Sequence, residues 1–229
     1  MRVVGVTNPV GAPVVQFDVD HGAHPQVTLF AHGYVPLRPL SAALGPDDDI
    51  VYTCLVREAT LRDRRPVERH SVHVKGGGTP VDYQRVGVYA LVTSARGLLG
   101  TVNSSLTGAP GVWTLPGGGV DLGESPSDAL AREIYEETGQ NIVITRILTL
   151  ESEHWIGRSL TGRLEDFHAL RLIYAATCLS PGEPVVHDVG GSTASAGWVS
   201  LRSWRRLHWT NSSRMLLARY SRQLPRLTS

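Results

Sequence analysis

Lysine and cysteine are almost missing from this 229-residue chain. Lys75 is the sole lysine among 22 basic residues, and Cys54 and Cys178 are the only cysteines. Two cysteines build neither a disulfide framework nor a cysteine-based metal cluster. No apolar run approaches the roughly 18 uncharged residues that a bilayer span needs. The opening Met1–Val6 run meets Asn8-Pro9 before the apolar core of a signal peptide has formed, so a cytoplasmic protein without a membrane partner is expected. The 41% hydrophobic and 19% charged composition is that of a globular chain and excludes wholesale disorder or a fibre. At about 150 residues per domain, the length allows one or two domains with a buried core.

The net charge of +1 hides an asymmetry. Residues 201–229 carry seven arginines (202, 205, 206, 214, 219, 222 and 226) and no acid, which leaves 15 basic against 21 acidic residues before them, a net −6. A basic end attracts phosphate groups, nucleic acid or an acidic partner, but a solvated terminal helix is the plainer reading.

Residues 1–78 read as a small β-rich segment. Strands are expected at 14–19, 26–31 and 50–59, where Val, Phe, Tyr and Thr cluster between turn residues. Arg57–Arg69 is densely charged and expected to be exposed. His21, His24 and His32 have no spacing that demands a metal and are read as structural. Lys75-Gly76-Gly77-Gly78-Thr79-Pro80 is the expected linker, since three glycines and a proline resist both helix and sheet. From residue 79 onward the pattern sharpens into a second unit, 79–229. Val86–Ser94 and Leu98–Val102 form an expected hairpin, followed by a glycine run at 117–119. Ser125 and Pro126 open a helix expected to end at Gly139. Strands are expected near 142–152, 168–177 and 197–200, and an arginine-rich terminal helix should bury Met215, Leu216 and Tyr220.

The chemistry concentrates in the helix over 126–138. Glu133, Glu136 and Glu137 are spaced i, i+3, i+4, so their carboxylates project from one helix face. Like charges so placed repel, and a bound divalent cation reverses that sign; hard oxygen donors favour Mg²⁺ or Mn²⁺. Arg132 lies four residues before Glu136 and can orient it. Gly117, Gly118 and Gly119 let the backbone approach a ligand without a Cβ in the way, and the helix N-terminus that follows favours an anion. A phosphate site next to a metal site is an arrangement for handling diphosphates.

The run Gly118-x5-Glu124-x7-Arg132-Glu133-Ile134-x-Glu136-Glu137-x-Gly139 resembles the Nudix box, GX5EX7REUXEEXGU with U aliphatic. Every fixed position matches; Gln140 stands at the last aliphatic position, and Ile142 is expected to take over its packing role. The resemblance extends over roughly residues 82–210. It implies an α/β fold, the Nudix α/β/α sandwich with a mixed β-sheet, here preceded by the β-rich segment.

It also implies a pyrophosphohydrolase acting on a nucleoside diphosphate linked to a further group. Glu133, Glu136 and Glu137 would ligate Mg²⁺ or Mn²⁺ with the Gly117 carbonyl, and Glu124 would assist. One of the glutamates or a metal-bound hydroxide would prepare the water, and Arg132 would orient a glutamate. A further carboxylate is sought among Asp188, Asp166 and Glu153, with Asp188 preferred for its place in the loop before Trp198. Gly118 and Gly119 would receive phosphate, and Trp155 and Tyr174 offer rings on which a base could stack. A (deoxy)nucleoside triphosphate or modified nucleotide is the leading substrate. ADP-ribose, a nucleotide sugar, a nucleotide-sensing regulator, or RNA whose 5′ end loses diphosphate are the alternatives, and a homodimer is an open partner.

Overall fold

The computed structural model describes residues 1–67, the backbone of 70–72, and residues 78–159 and 162–224. Half of the expected glycine linker (75–77), the charged pair 68–69 and Arg226 lie outside these residues. The chain divides into two compact units. One comprises residues 1–87, 120–126 and 147–172; the other comprises 88–119, 127–146 and 173–229.

The first unit is built on a four-stranded sheet of order β2-β1-β4-β3. Its strands are β1 (Arg2–Val6), β2 (Pro13–Asp18), β3 (Tyr34–Leu44) and β4 (Ile50–Glu58). In β4 every second residue turns inward, so that Ile50, Tyr52, Cys54 and Val56 are buried, the two-residue period of a half-covered strand. Burial also pushes the Cys54 thiol up to about 12, so it acts as a small hydrophobe. β1 pairs antiparallel with β2 and parallel with β4.

The strand expected at 26–31 is instead a helix, α1 (Pro25–Ala31). Pro25 sits in its first turn, His24 Nδ1 accepts the Gln26 N–H at 3.2 Å, and Gly33 takes a left-handed φ of 84° just past the end. Those start and stop signals override the β-branched content of the segment.

The second sheet has the order β12-β7-β6-β11-β10-β5. Its strands are β5 (His70–Val72), β6 (Val81–Ser94), β7 (Gly97–Asn103), β8 (Trp113–Thr114), β9 (Gly117–Gly119), β10 (Val143–Arg158), β11 (Leu164–Thr177) and β12 (Thr193–Val199); β8 pairs with β7 and β9 with β6. The β6–β7 hairpin turns at Gly97, whose φ of 123° few other residues adopt. β5–β10 is parallel and β7–β12 antiparallel, so the sheet is mixed, as the α/β expectation required.

In the second unit, helix α2 (Pro126–Thr138) buries Ala129, Leu130 and Ile134. Gly139 ends it with φ 66° and donates to the Tyr135 carbonyl at 2.8 Å. Helix α3 (Asn211–Tyr220) starts at Thr210, whose hydroxyl accepts the Ser213 N–H at 3.3 Å. Ser213 Oγ in turn accepts the Leu115 N–H at 3.1 Å, and Trp113 donates to the His208 carbonyl at 2.8 Å. The chain entering the glycine strand is thus held by the C-terminal segment. The buried face of α3 is Ser213, Leu216, Leu217 and Tyr220; Met215, expected inside, is 64% exposed. Positions 213, 216, 217 and 220 repeat at i, i+3, i+4, i+7, and 215 falls on the opposite side of that stripe.

Two variants test that facing. Leu217→Ala should destabilise the protein by about 2–5 kcal/mol. Met215→Ala should stay within about 0.5 kcal/mol of the parent. Urea midpoints at unchanged slope measure both.

Candidate active site

Helix α2 and the glycine strand β9 belong to the same unit, and α2 presents its acids toward that strand. Arg132 holds the arrangement together: one guanidinium nitrogen donates to Glu133 Oε1 at 3.0 Å and Glu136 Oε2 at 3.2 Å, and another to the Gly119 carbonyl at 3.1 Å. One planar cation therefore fixes two carboxylates and the strand carbonyl together, which a lysine point charge could not do.

Glu137 is buried, with 6% exposure. One carboxyl oxygen accepts the Gly117 N–H at 2.9 Å, and the other accepts the Thr193 hydroxyl. Burial pushes its carboxyl up to about 7, against the two hydrogen bonds, which pull it down; the charges of Glu133 and Asp188 raise it further. A dry acid surrounded by acids is unfavourable alone and is relieved by a proton or a cation.

The glycines are needed for two different reasons. Gly117 has φ 137°, and a Cβ there would run into the Val88 carbonyl and the Tyr89 backbone; at Gly118 a Cβ would occupy the space of the Glu133 carboxylate. Gly118 thus leaves room for the acid, while Gly117 allows the strand to approach β6.

The loop after β11 completes the group. His187 N–H and Asp188 N–H donate to the Glu136 carbonyl at 2.7 and 3.1 Å, Val185 N–H donates to the Thr138 carbonyl at 2.9 Å, and His187 stacks on Tyr135 with centroids 4.9 Å apart. The last carbonyls of α2 are satisfied in this way, and Asp188 arrives beside the glutamates. Next to it lies a cavity of about 390 Å³, lined by Ser104, Leu106, Asp188, Gly191 and Thr193 among others. That volume lies within the usual range of small-molecule sites.

Of the expected site residues, the structure gathers Gly117, Gly118, Gly119, Arg132, Glu133, Glu136, Glu137 and Asp188. Glu124 Oε2 accepts the Asp121 N–H at 3.1 Å in the turn before α2. Tyr174 is a correction: only 4% exposed, with its hydroxyl buried as well, it offers no face to a base. Trp155 lies in the other unit, packed on Phe167 at 4.4 Å between centroids. The rival carboxylates are engaged there too: Glu153 pairs with Arg171, and Asp166 meets His154 and His21.

Gln140 is another correction. It is itself buried, whereas Ile142 is only partly so. Its Oε1 accepts the Gly182 N–H at 2.9 Å, and its Nε2 donates to the Thr138 carbonyl at 3.2 Å. An amide that ties down the 178–183 segment therefore takes the place of aliphatic packing. Thr193 carried no signal in the sequence, because it reaches Glu137 only through the β7–β12 pairing.

A family model described as the NUDIX domain matches residues 83–220. The chain is similar to the RNA pyrophosphohydrolase of Rhizobium meliloti (strain 1021), 44% identical over 62 residues, which is 27% of this chain and 35% of that protein. It is also similar to the nucleoside triphosphatase NudI of Escherichia coli O139:H28, 37% identical over 78 residues, which is 33% of this chain and 54% of that one. The chain thus spans between about a third and a half of the length of these curated relatives. Among solved structures, a MutT NUDIX hydrolase from Burkholderia pseudomallei aligns with a TM-score of 0.45 and 29% identity over 59% of this chain and 97% of that one. No described helix is long and apolar enough to cross a membrane.

The two glycines separate fold from site. Gly117→Ala should lower stability by several kcal/mol through backbone collision and strain. Gly118→Ala should leave the urea midpoint nearly unchanged while displacing Glu133, which metal titration of the variant would detect. Glu137 makes a pH prediction for the metal-free protein. Its folded value of about 7 lies above the ordinary 4.5, so the folded state holds more protons in that window. Stability should therefore fall as pH rises from about 4.5 to 7, by a total of about 3 kcal/mol. Glu137→Gln should flatten that slope, as urea unfolding across the window would record.

Proposed function

Because the chain belongs to the Nudix family, we propose that it hydrolyses a pyrophosphate bond in a nucleoside diphosphate linked to a further group, with a (deoxy)nucleoside triphosphate or modified nucleotide as substrate. The observation that carries this reading is the single guanidinium of Arg132 bridging Glu133, Glu136 and the Gly119 carbonyl. Beside it, Glu137 is buried between Gly117 and Thr193.

The donor set is all oxygen, and the space kept open at Gly118 lies against a carboxylate. These residues fit Mg²⁺ or Mn²⁺. Glu133, Glu136 and Glu137 would hold the cation with the Gly117 carbonyl, with Asp188 as the further carboxylate. A bound divalent cation would neutralise phosphate charge and acidify a water. The chain supplies the rest. Arg132 keeps two carboxylates in fixed directions, and the backbone of Gly118 and Gly119 lies against the phosphates. A glutamate accepts the proton of the water that attacks one phosphorus of the pyrophosphate bond, and the bridging anhydride oxygen leaves with the other phosphate group.

A second reading, triphosphorylated RNA, is favoured by the six exposed arginines at 202, 205, 206, 214, 219 and 222. Two of them lie over aromatic rings, Arg205 on Trp204 at 4.4 Å and Arg219 on Tyr220 at 5.1 Å.

The test is product release with Mg²⁺ across nucleoside triphosphates, oxidised nucleotides, ADP-ribose, nucleotide sugars and triphosphorylated RNA, with Glu136→Gln and Arg132→Lys alongside. Turnover of a nucleotide that falls by about 10²–10⁴-fold in both variants is expected. Preference for RNA, with affinity dropping steeply as salt rises, would select the second reading. Nucleotide binding without turnover would move the protein to a sensing role. Activity untouched in both variants would remove the helix from the chemistry.

A further inference from the structure

A second group of metal-ligating side chains lies in the first unit, on elements that the glutamate helix does not touch in sequence. His21 follows β2, His154 is on β10 and Asp166 is on β11, and their ligand atoms all lie within 4.8 Å of one another. His154 Nε2 meets Asp166 Oδ1 directly, and His21 Nε2 lies 3.3 Å from the same oxygen. The His21 contact is not an aligned hydrogen bond: the nitrogen is buried and has no hydrogen-bond partner. Two imidazole nitrogens thus converge on one carboxylate, and one of them faces the shared space between the three groups.

The backbone is shaped to bring them there. Ala23 N–H donates to the Asp20 carbonyl at 3.0 Å, closing a turn with His21 and Gly22 at its centre. Gly22 has φ 75°, and a Cβ at that position would sit 2.7 Å from His154 Cε1. Glycine is therefore required both by the turn and by the approach to the second histidine. Behind the group, the fully buried His168 stacks edge-on to His21 and His154 at 5.9 and 5.7 Å. Its own nitrogens are engaged, by Gln84 Oε1 at 2.7 Å and Ser152 Oγ at 3.0 Å. It buttresses the two rings and holds no ligand atom of its own in the group.

We infer that His21, His154 and Asp166 form a binding site for a transition-metal dication of the zinc type, separate from the glutamate site. Two imidazoles and a carboxylate suit Zn²⁺ and select against Mg²⁺. Bonds of about 2.0–2.1 Å place tetrahedral donors roughly 3.3 Å from one another, close to the observed His21–Asp166 separation. The fourth position is open to water or to Asp82, which is 76% exposed with Oδ1 3.9 Å from His21 Nε2. Such a metal ties the turn after β2 to β10 and β11, binding the N-terminal sheet to the strands of its own unit.

The experiment uses the full chain, stripped of metal and held in excess Mg²⁺, titrated with Co²⁺ and separately with Zn²⁺. The expected result is one equivalent of Co²⁺ giving the intense visible bands of a tetrahedral nitrogen-containing site, displaced by Zn²⁺, with a rise in Tm. His21→Gln, on the turn, and Asp166→Asn should each weaken Zn²⁺ binding by about 100-fold or more, with far-UV circular dichroism unchanged. Glu136→Gln should leave it intact. Absence of the tetrahedral bands in the parent chain would overturn the assignment, as would bands that survive in both His21→Gln and Asp166→Asn or vanish in Glu136→Gln. If either ligand variant fails to fold, the parent spectrum together with Glu136→Gln still decides.

Discussion

Much of the second unit is arranged around the carboxyl group of Glu137. An acid at 6% exposure has lost most of its water and must be compensated from within the protein. Gly117 supplies one donor from the glycine strand, and Thr193 supplies another from β12. Those two donors fix β9 and β12 relative to α2, and a left-handed φ at Gly117 lets its N–H reach. The remaining imbalance, an acid raised toward neutrality among other acids, is the condition that a divalent cation relieves.

Arg132 plays the complementary part on the exposed side. It joins Glu133, Glu136 and the Gly119 carbonyl through one rigid group, so the two outer carboxylates keep their directions before any ligand arrives. Preorganisation of this kind lowers the reorganisation needed when charge develops on a phosphate. Opposite it, the 185–188 segment caps α2 through backbone hydrogen bonds, and the same bonds that end the helix deliver Asp188. A structural requirement, satisfaction of the last helix carbonyls, thereby positions a further acid.

The first unit handles its polar groups differently. His168 is fully buried with both ring nitrogens facing partners, while His21 and His154 turn theirs toward Asp166. Nothing in the spacing of His21, His24 and His32 signalled this, because the partners of His21 come from strands far along the chain. His24 instead caps α1. His21 and His24, close in sequence, thus take unrelated tasks, set by which neighbour the fold brings to each.

The amino-acid sequence by itself determined the local chemistry of helix α2. Its capping residues, its ending at Gly139 and the i, i+3, i+4 spacing of its acids follow from a 3.6-residue period and from glycine's access to positive φ. The hairpin at Gly97 and the strand over 50–59 were legible too, since each depends on neighbours in the chain. Tertiary structure alone decided what depends on contacts across the sheets. It placed Asp188 in the unit of the glutamates and Asp166 and Glu153 in the other, brought Thr193 to Glu137, and buried Tyr174. It turned Leu217 rather than Met215 inward, and it made Gln140 a hydrogen-bonded latch. It also brought His21, His154 and Asp166 together. Those outcomes rest on strand pairing and burial, which join residues whose separation in sequence carries no period that a reader of the chain could follow.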